Sequence, residues 1–307
     1  MKKAGAWLAL AAALLFGAST PFAKLFLREI SPVALAGLLY LGSGVGLLIV
    51  SAGRIPGMID SFRKLPVREV APLIGAIVLG GVTAPVLLMT GLRHTTGSAA
   101  SMLLNLEGPF TVSLACLLFG EQYGKRLVLG FVSILGGGVL LSISGDGISS
   151  GAIGGWLYIA AACACWAFDN NLSKKVGSLD ARAFAALKGL IAGIANLLIA
   201  ATAGQTLPNP AEAAGGMFVG FLGYGLSLVF FIHALREVGA ARTSAFFSTA
   251  PFVGSVLSLI LLHEPVTWRL IVAGILMGIG VYLHLTEQRA HEHASEEMEH
   301  EIRISSR

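Results

Sequence analysis

The stretch "LEGPFTVSLACLLFGEQYGKRLVLG" (residues 106–130) decides the fold, because a related stretch returns later as "STAPFVGSVLSLILLHEPVTWRLIVAG" (residues 248–274). Each copy places a Pro-Phe pair early in an apolar run, and a glutamate and an Arg-Leu pair follow the run. Self-similarity of this kind is a signature of internal repeats. The pattern predicts that the chain contains two related halves.

A second pair of stretches supports the repeat. "FGASTPFAK" (residues 16–24) has the length of "WAFDNNLSK" (residues 166–174), and both begin with an aromatic residue and end with lysine. Each follows a Trp-Leu pair, at residues 7–8 and 156–157. The two pairs of stretches occur in the same order along the chain, which is hard to explain by chance similarity between apolar segments.

The composition of the 307-residue chain indicates a membrane protein. Apolar residues make up 55% and charged residues 12%, whereas soluble domains carry about 25% charged residues. The mean hydropathy is +0.79. The formal charge of +4 comes without a basic patch interleaved with aromatic residues, so the expected partner is the lipid bilayer and not nucleic acid.

Ten apolar segments are each long enough to cross a bilayer, which takes about 20 residues. Backbone polar groups in lipid must be hydrogen-bonded within the segment, so helices are expected. The predicted fold class is an all-α membrane protein with ten transmembrane helices. The predicted segments are 4–24, 33–53, 70–92, 98–119, 126–144, 152–172, 182–203, 214–235, 240–262 and 268–286.

Five crossings per half give the two halves opposite orientations in the membrane. The predicted units are a first five-helix repeat (1–147), a second five-helix repeat (148–286) and a polar tail (287–307). Inverted repeats recur in transporters, where two similar halves surround a site at the middle of the membrane.

Lysine and arginine positions predict the orientation. With the N-terminus in the cytoplasm, sixteen of the 21 basic residues face inward, as the positive-inside rule requires. The four that face outward are Lys24, Arg28, Arg93 and Arg269. We therefore expect a multi-pass protein of the cell (inner or plasma) membrane with both termini in the cytoplasm. A cleaved signal peptide is disfavoured, because the first segment has a counterpart in the second half.

Glycines spaced four apart predict close helix packing, and they would also permit a homodimer. The pairs are Gly42/Gly46, Gly189/Gly193, Gly216/Gly220 and Gly274/Gly278.

The ten-helix plan, the two nine-residue openings, the Pro-Phe pairs and the glutamate after helices four and nine resemble the EamA family of the drug/metabolite transporter superfamily. The resemblance covers residues 5–286. It implies a ten-helix inverted-repeat transporter that often exports amino acids, metabolites or drugs. It also implies a central cavity lined by helices one, three, four, six, eight and nine.

A carboxylate in the middle of the fourth segment is the first candidate for a binding site. Burying an ionised side chain in lipid costs about 2.5–3.5 kcal/mol on insertion scales, so such residues usually face a cavity or a partner. Asn105 and Glu107 precede Pro109, and a proline frees a carbonyl in the preceding turn. We expect a substrate or proton site here, with Pro109 as a hinge. A protonated Glu107 that only packs between helices is the alternative.

The second half offers neutral groups at the equivalent place. Ser248 and Thr249 supply hydroxyl groups beside Pro251, which is a second candidate hinge. Hydroxyl packing between helices is the alternative interpretation.

Further polar residues lie near the ends of predicted helices. Asp169 and Asn170, with Thr20 in the matching position of the first half, are candidates for cavity lining, although a solvated helix end would also explain Asp169 and Asn170. Arg93 is a candidate for an outer anion-attracting vestibule or an interfacial anchor. Lys188 is expected to snorkel toward the cytoplasm, and an ion pair with Glu107 is the alternative.

Enzyme and cofactor signatures are not found. The chain contains no HExxH and no P-loop motif, so we expect neither an enzyme, nor a cofactor, nor ATP-driven pumping. The three cysteines, Cys116, Cys163 and Cys165, are interpreted as apolar packing.

The sequence predicts a secondary transporter of small organic solutes, and most readily an exporter, that works by alternating access. One alternative is a metal-linked transporter or sensor that uses His291, His293 and His300 of the tail, although their spacing defines no metal site. The other is a membrane enzyme that uses Glu107 and Asp169 as an acid/base pair.

Overall fold

A computed structural model describes residues 3–119, 124–143 and 150–305, and this part of the chain is helical without strands. The side chains at positions 3, 119, 150–152, 241 and 288–305 are not described. The fold class predicted from the sequence, an all-α membrane protein, is confirmed.

Among the described residues, six long helices are continuous and four are interrupted. The continuous helices are α1 (Lys3–Phe26), α2 (Pro32–Val50), α5 (Lys125–Ser142), α6 (Ser150–Ser173), α7 (Ala181–Thr202) and α10 (Trp268–Ser305). The interrupted ones are α3 (Val67–Ala76, π-helix Ile77–Thr83, Ala84–Arg93), α4 (Gly97–Leu103, 3-10 helix Leu104–Leu106, Glu107–Phe119), α8 (Pro210–Gly220, π-helix Phe221–Leu226, Ser227–Val238) and α9 (Ala240–Phe247, Ala250–Leu261). A short helix, Ile55–Arg63, joins α2 to α3.

Nine helical stretches in the described residues are long and apolar enough to cross a membrane, judged by length and composition. Each lies on one of the predicted segments, and the chain is a multi-pass membrane protein. The predicted sixth segment forms α6, but α6 is not among the nine. The tenth crossing therefore stays a prediction.

Helix starts follow from local side-chain chemistry. Ser31 and Asp180 each cap a helix, with side-chain oxygens that accept from the first backbone N–H groups of α2 and α7. Asn209 and Glu212 form a capping box around Pro210 at the start of α8. Such caps satisfy donors that have no partner inside the helix, so these turns are set by the sequence itself.

Helix contacts repeat when the two halves are exchanged. Helix α1 packs on α8 and α9, and its counterpart α6 packs on α3 and α4. Helices α2 and α7 pack against each other, as do α5 and α10. Counterparts five helices apart thus make counterpart contacts, which is what two equivalent halves require. The predicted boundary at residues 147 and 148 lies outside the described residues and stays a prediction.

Close helix approaches use most of the predicted glycine pairs. A Cβ atom added at Gly42 would overlap the backbone of Met217, and one at Gly220 would overlap the backbone of Leu39, so α2 and α8 nearly touch there. By contrast, a Cβ atom added at Gly278 would have nothing within 4 Å of it. The pair Gly274/Gly278 is thus not used for close packing within the described part of this chain.

Replacing Gly42 with alanine should destabilise the protein, because the added methyl group meets backbone that cannot rotate away. Overpacking of this kind costs about 1–3 kcal/mol. Thermal unfolding in detergent should show a clear loss for Gly42→Ala and little change for Gly278→Ala, which is the matched control. Equal stability of the two variants would contradict the α2–α8 contact.

Candidate functional site

Helices α4 and α9 are interrupted at equivalent places. In α4 the 3-10 turn Leu104–Leu106 precedes Pro109, and in α9 residues 248–249 form a turn before Pro251. A proline in the first turn of a helical segment cannot continue the hydrogen bonds of the turn before it. The irregular backbone expected at both prolines is present, whereas hinge motion stays a prediction.

Two further irregular segments were not predicted from the sequence. Counterpart helices α3 and α8 each contain a π-helical segment, and both segments hold two glycines. The carbonyl oxygen of Gly80 accepts from the Tyr40 hydroxyl at 2.7 Å and from the Trp166 indole nitrogen at 3.0 Å. π-segments often mark functional sites, and glycine pairs at matching places in α3 and α8 were the available signal.

A cavity of about 310 Å³ lies beside the interruptions in α4 and α9, between the two halves. Glu107 contributes a carboxylate to its wall, and Asn105, Asn170 and Ser248 contribute further polar groups. The other lining residues are Phe16, Leu104, Gly108, Pro109, Thr111, Val112, Ile134, Phe231, Ser244, Phe247, Ala250, Pro251, Val281, His284 and Leu285.

The Glu107 carboxylate accepts a hydrogen bond from the side-chain amide of Asn170, which belongs to the other half. The Asn170 Nδ2 atom donates to Glu107 Oε1 at 2.9 Å and lies 3.3 Å from the Thr111 hydroxyl oxygen. Asn171 Nδ2 donates to the Thr111 carbonyl oxygen at 3.0 Å. These contacts join α4 to α6, so the two polar stretches singled out in the sequence meet at one point.

Asp169 has a separate partner. Lys188 Nζ lies 2.6 Å from Asp169 Oδ2, and only 17% and 4% of these two side chains are exposed. Ser173 donates its hydroxyl to Asp169 Oδ1 at 3.0 Å. The prediction that Lys188 snorkels toward the cytoplasm is therefore wrong, because a buried carboxylate on α6 holds its ammonium group inside the bundle.

Two more cavities adjoin the first. One of about 200 Å³ shares Phe16, Phe231 and Phe247 with it, and one of about 380 Å³ shares Asn170 and is also lined by Lys188. The lining residues lie mainly in the half of each helix that is nearest the α6–α7 connection. The space between the halves therefore lies nearer the end of the bundle that carries this connection and the start of α1.

Aromatic rings form one wall of this space, which sequence reasoning did not foresee. The ring centroids of Phe16 and Phe247 are 5.3 Å apart, those of Phe231 and Phe247 are 5.0 Å apart, and those of Phe16 and Tyr224 are 5.7 Å apart. An aromatic residue that faces a cavity and one that faces lipid look alike in a sequence.

The remaining predicted residues divide between the cavity and other places. Asn105 Nδ2 donates to the Met102 carbonyl at 2.8 Å while the residue lines the cavity. Thr20 is buried outside the cavity wall, and the hydroxyl of Thr249 bonds to the carbonyl of Phe246 in its own turn. The structure thus separates these two residues from the Glu107 site.

Arg93 lies at the opposite membrane face. With Lys24, Arg28 and Glu264 it lines a cavity of about 240 Å³ that is separate from the Glu107 site. Between the two sites α1 and α9 pack tightly, because a Cβ atom added at Gly17 would overlap the backbone of Ala250. This cavity is where an outer vestibule that includes Arg93 would lie, and its role in attracting anions stays a prediction.

The cysteine and histidine predictions have separate outcomes. Cys116 and Cys163 are buried and Cys165 is half-buried, and none of the three forms a disulfide within the described residues. Within the described residues no group of three or more His, Cys, Asp or Glu side chains could hold a metal ion. The three tail histidines belong to a helical segment of α10 whose side chains lie outside the description.

Known proteins share this architecture. A solved structure described only as "Crystal structure of protein" superposes with a TM-score of 0.65 at 17% identity, covering 95% of this chain and 100% of that chain. At that identity the likeness shows the fold alone.

Sequence relatives carry transporter names. An "Uncharacterized transporter" of Methanothermobacter thermautotrophicus is 28% identical over 285 residues, which cover 89% of this chain and 83% of the relative. "Uncharacterized transporter YvbV" of Bacillus subtilis is 25% identical over 288 residues, which cover 92% of each. The family model described as "EamA-like transporter family" matches residues 3–143 and 153–286. With nearly its whole length matched in two successive stretches, the chain belongs to the EamA-like transporter family.

Proposed function

We propose that this membrane transporter is a secondary transporter of small organic solutes that works by alternating access and exports its substrate. The observation that carries the proposal is the Glu107 carboxylate, which lines a cavity between the two halves and is bonded there to the Asn170 amide. A carboxylate held by an amide can still exchange a proton or bind a polar solute group.

The size and chemistry of the cavity suit a small organic molecule. Ligand sites are typically clefts of about 300–1,000 Å³ with mostly apolar walls and a few well-placed polar groups. The Glu107 cavity has this composition, with aromatic rings from α1, α8 and α9 opposite the polar residues of α4 and α6.

The proposed orientation supports our inference that the solute is exported. The basic residues favour a cytoplasmic N-terminus, and the Glu107 cavity lies nearer the face on which α1 starts. A solute would thus enter from the cytoplasm and leave when the outer halves of the helices separate. We place the protein in the cell membrane with both termini in the cytoplasm.

Filling the cavity should stop transport. We expect Ser248→Phe to abolish solute movement, because the new ring occupies space next to Glu107 and Asn170. The matched control is Thr202→Phe, since Thr202 is exposed at the end of α7 and lies in no described cavity wall.

The assay uses the full chain in two settings. Cells that overproduce wild type or variant are screened for resistance to amino-acid analogues, dyes and metals, and purified protein in liposomes is then tested with the solutes found. Full transport by Ser248→Phe would contradict the cavity as the solute path. Recovery of a converted product would point to a membrane enzyme instead.

A further inference from the structure

Two side chains clamp the α3–α4 hairpin at the face opposite the Glu107 cavity. Lys24 Nζ donates to the carbonyl oxygens of Leu92 at 2.5 Å and Thr95 at 2.7 Å. Glu264 accepts from the backbone N–H groups of Gly97 and Ser98 at 2.6 and 2.9 Å. One charge thus binds the end of α3 and the other binds the start of α4.

The signs of these charges match the helix ends that they touch. The last carbonyl groups of a helix carry partial negative charge, and the first N–H groups carry partial positive charge. Both kinds of group lack partners inside the helix. Hydrogen bonds that involve an ionised partner are shorter and about twice as strong as neutral ones, so this arrangement holds the hairpin firmly.

The hairpin and Lys24 belong to the first half, so the Glu264 contact is the one that joins the two halves that alternating access would have to separate. Lys24 belongs to α1 of the first half, and Glu264 belongs to the α9–α10 connection of the second half. The backbone reaches Glu264 through a left-handed conformation at His263, where φ is 53°. Non-glycine residues adopt this conformation rarely, so the turn is specified and places Glu264 on the hairpin.

The counterpart lysine in the other half has a different environment. Lys174 ends the stretch that matches the one ending in Lys24, and it lies at the opposite membrane face. Its side chain is exposed, and in the described residues it makes no contact with the carbonyl groups at the end of α8, the counterpart of α3. Lys24 therefore binds a helix end at its own face, whereas Lys174 is exposed at the opposite face.

We propose that Lys24 and Glu264 form an outer latch that closes the face opposite the Glu107 cavity, and that Lys174 binds the end of α8 in the opposite state. The inference rests on the proposed alternating access and names the groups that control it. Lys24 and Glu264 are positioning residues, because neither touches the cavity in which solute would bind.

A single reactive thiol can report the opening of the outer face. Ser258 is fully buried on α9, and a Cβ atom added at Gly97 would meet its side chain, so it lies where α4 and α9 close. Ser258→Cys would react with a polar maleimide only when these helices part. The background for this reporter replaces the three native cysteines, Cys116, Cys163 and Cys165, with alanine.

In this background Lys24→Met and Glu264→Gln should each speed labelling of the reporter by about tenfold to a hundredfold, the range for loss of hydrogen bonds to a charged group. Lys24→Arg should keep labelling slow, because it retains charge and donors. Matched controls at the same face are Arg269→Gln and Glu29→Gln, which should leave the rate unchanged. Unchanged labelling in both latch variants would overturn the latch.

A second substitution tests the alternation. Adding Lys174→Met to Lys24→Met should slow labelling again. The state with an open outer face then loses the contact between Lys174 and the end of α8 that we propose stabilises it. If labelling stays fast, Lys174 has no part in that state and this arm of the proposal fails. Labelling needs no solute, so a failed latch is distinct from a failed transport function, which would show as wild-type liposomes that move no solute.

Discussion

Replacing Glu107 with glutamine should abolish solute movement driven by a proton gradient. Glutamine keeps the size of the side chain and the oxygen that accepts from Asn170 Nδ2, but a carboxamide cannot take up and release a proton. A gradient of one pH unit holds about 1.4 kcal/mol per proton, which supports about tenfold accumulation of a neutral solute. Glu107→Gln should reduce this accumulation to equilibration.

The measurement compares liposomes with and without an imposed pH gradient. Wild type should accumulate solute only with the gradient, and Glu107→Gln should give the same low level in both conditions. Glu29→Gln, a change at an exposed position, should behave as wild type. Unchanged gradient dependence in Glu107→Gln would leave Glu107 as a packing residue between α4 and α6, which is the alternative that the sequence left open.

Apolar runs alone located the helices, because length and hydropathy are local properties of the chain. The prolines Pro109 and Pro251 predicted the interruptions in α4 and α9, because each proline disturbs the hydrogen bonds of its own turn. Candidate residues such as Glu107 and Asn170 were found for the same reason, because a polar group in an apolar run is visible without knowledge of the fold.

Partners of these residues were not predictable, because they depend on which helices pack together. The bond from Asn170 to Glu107 needs α6 beside α4, and the ion pair of Lys188 needs α7 turned toward Asp169. Sequence position could not show that Lys188 pairs with Asp169.

The buried Asp169–Lys188 pair carries the prediction with the largest effect on stability. Removing one partner of a buried ion pair leaves an uncompensated charge and costs about 3–5 kcal/mol. Asp169→Asn and Lys188→Met should therefore each lower the free energy of unfolding strongly. The surface pair Asp60–Lys64, with side chains 56% and 73% exposed, provides the control, since exposed pairs contribute about 0–1 kcal/mol.

The double variant separates the ion pair from the space that its members fill. Asp169→Asn with Lys188→Met removes both charges, so its stability should exceed that of either single variant, and a cycle of the four proteins measures the coupling between the two sites. Additive losses would contradict direct pairing. Because Lys188 also lines the cavity that adjoins Asn170, the double variant should fold yet lose a cation near the solute path. A change in its solute preference without a loss of stability would then assign the pair a part in binding as well as in packing.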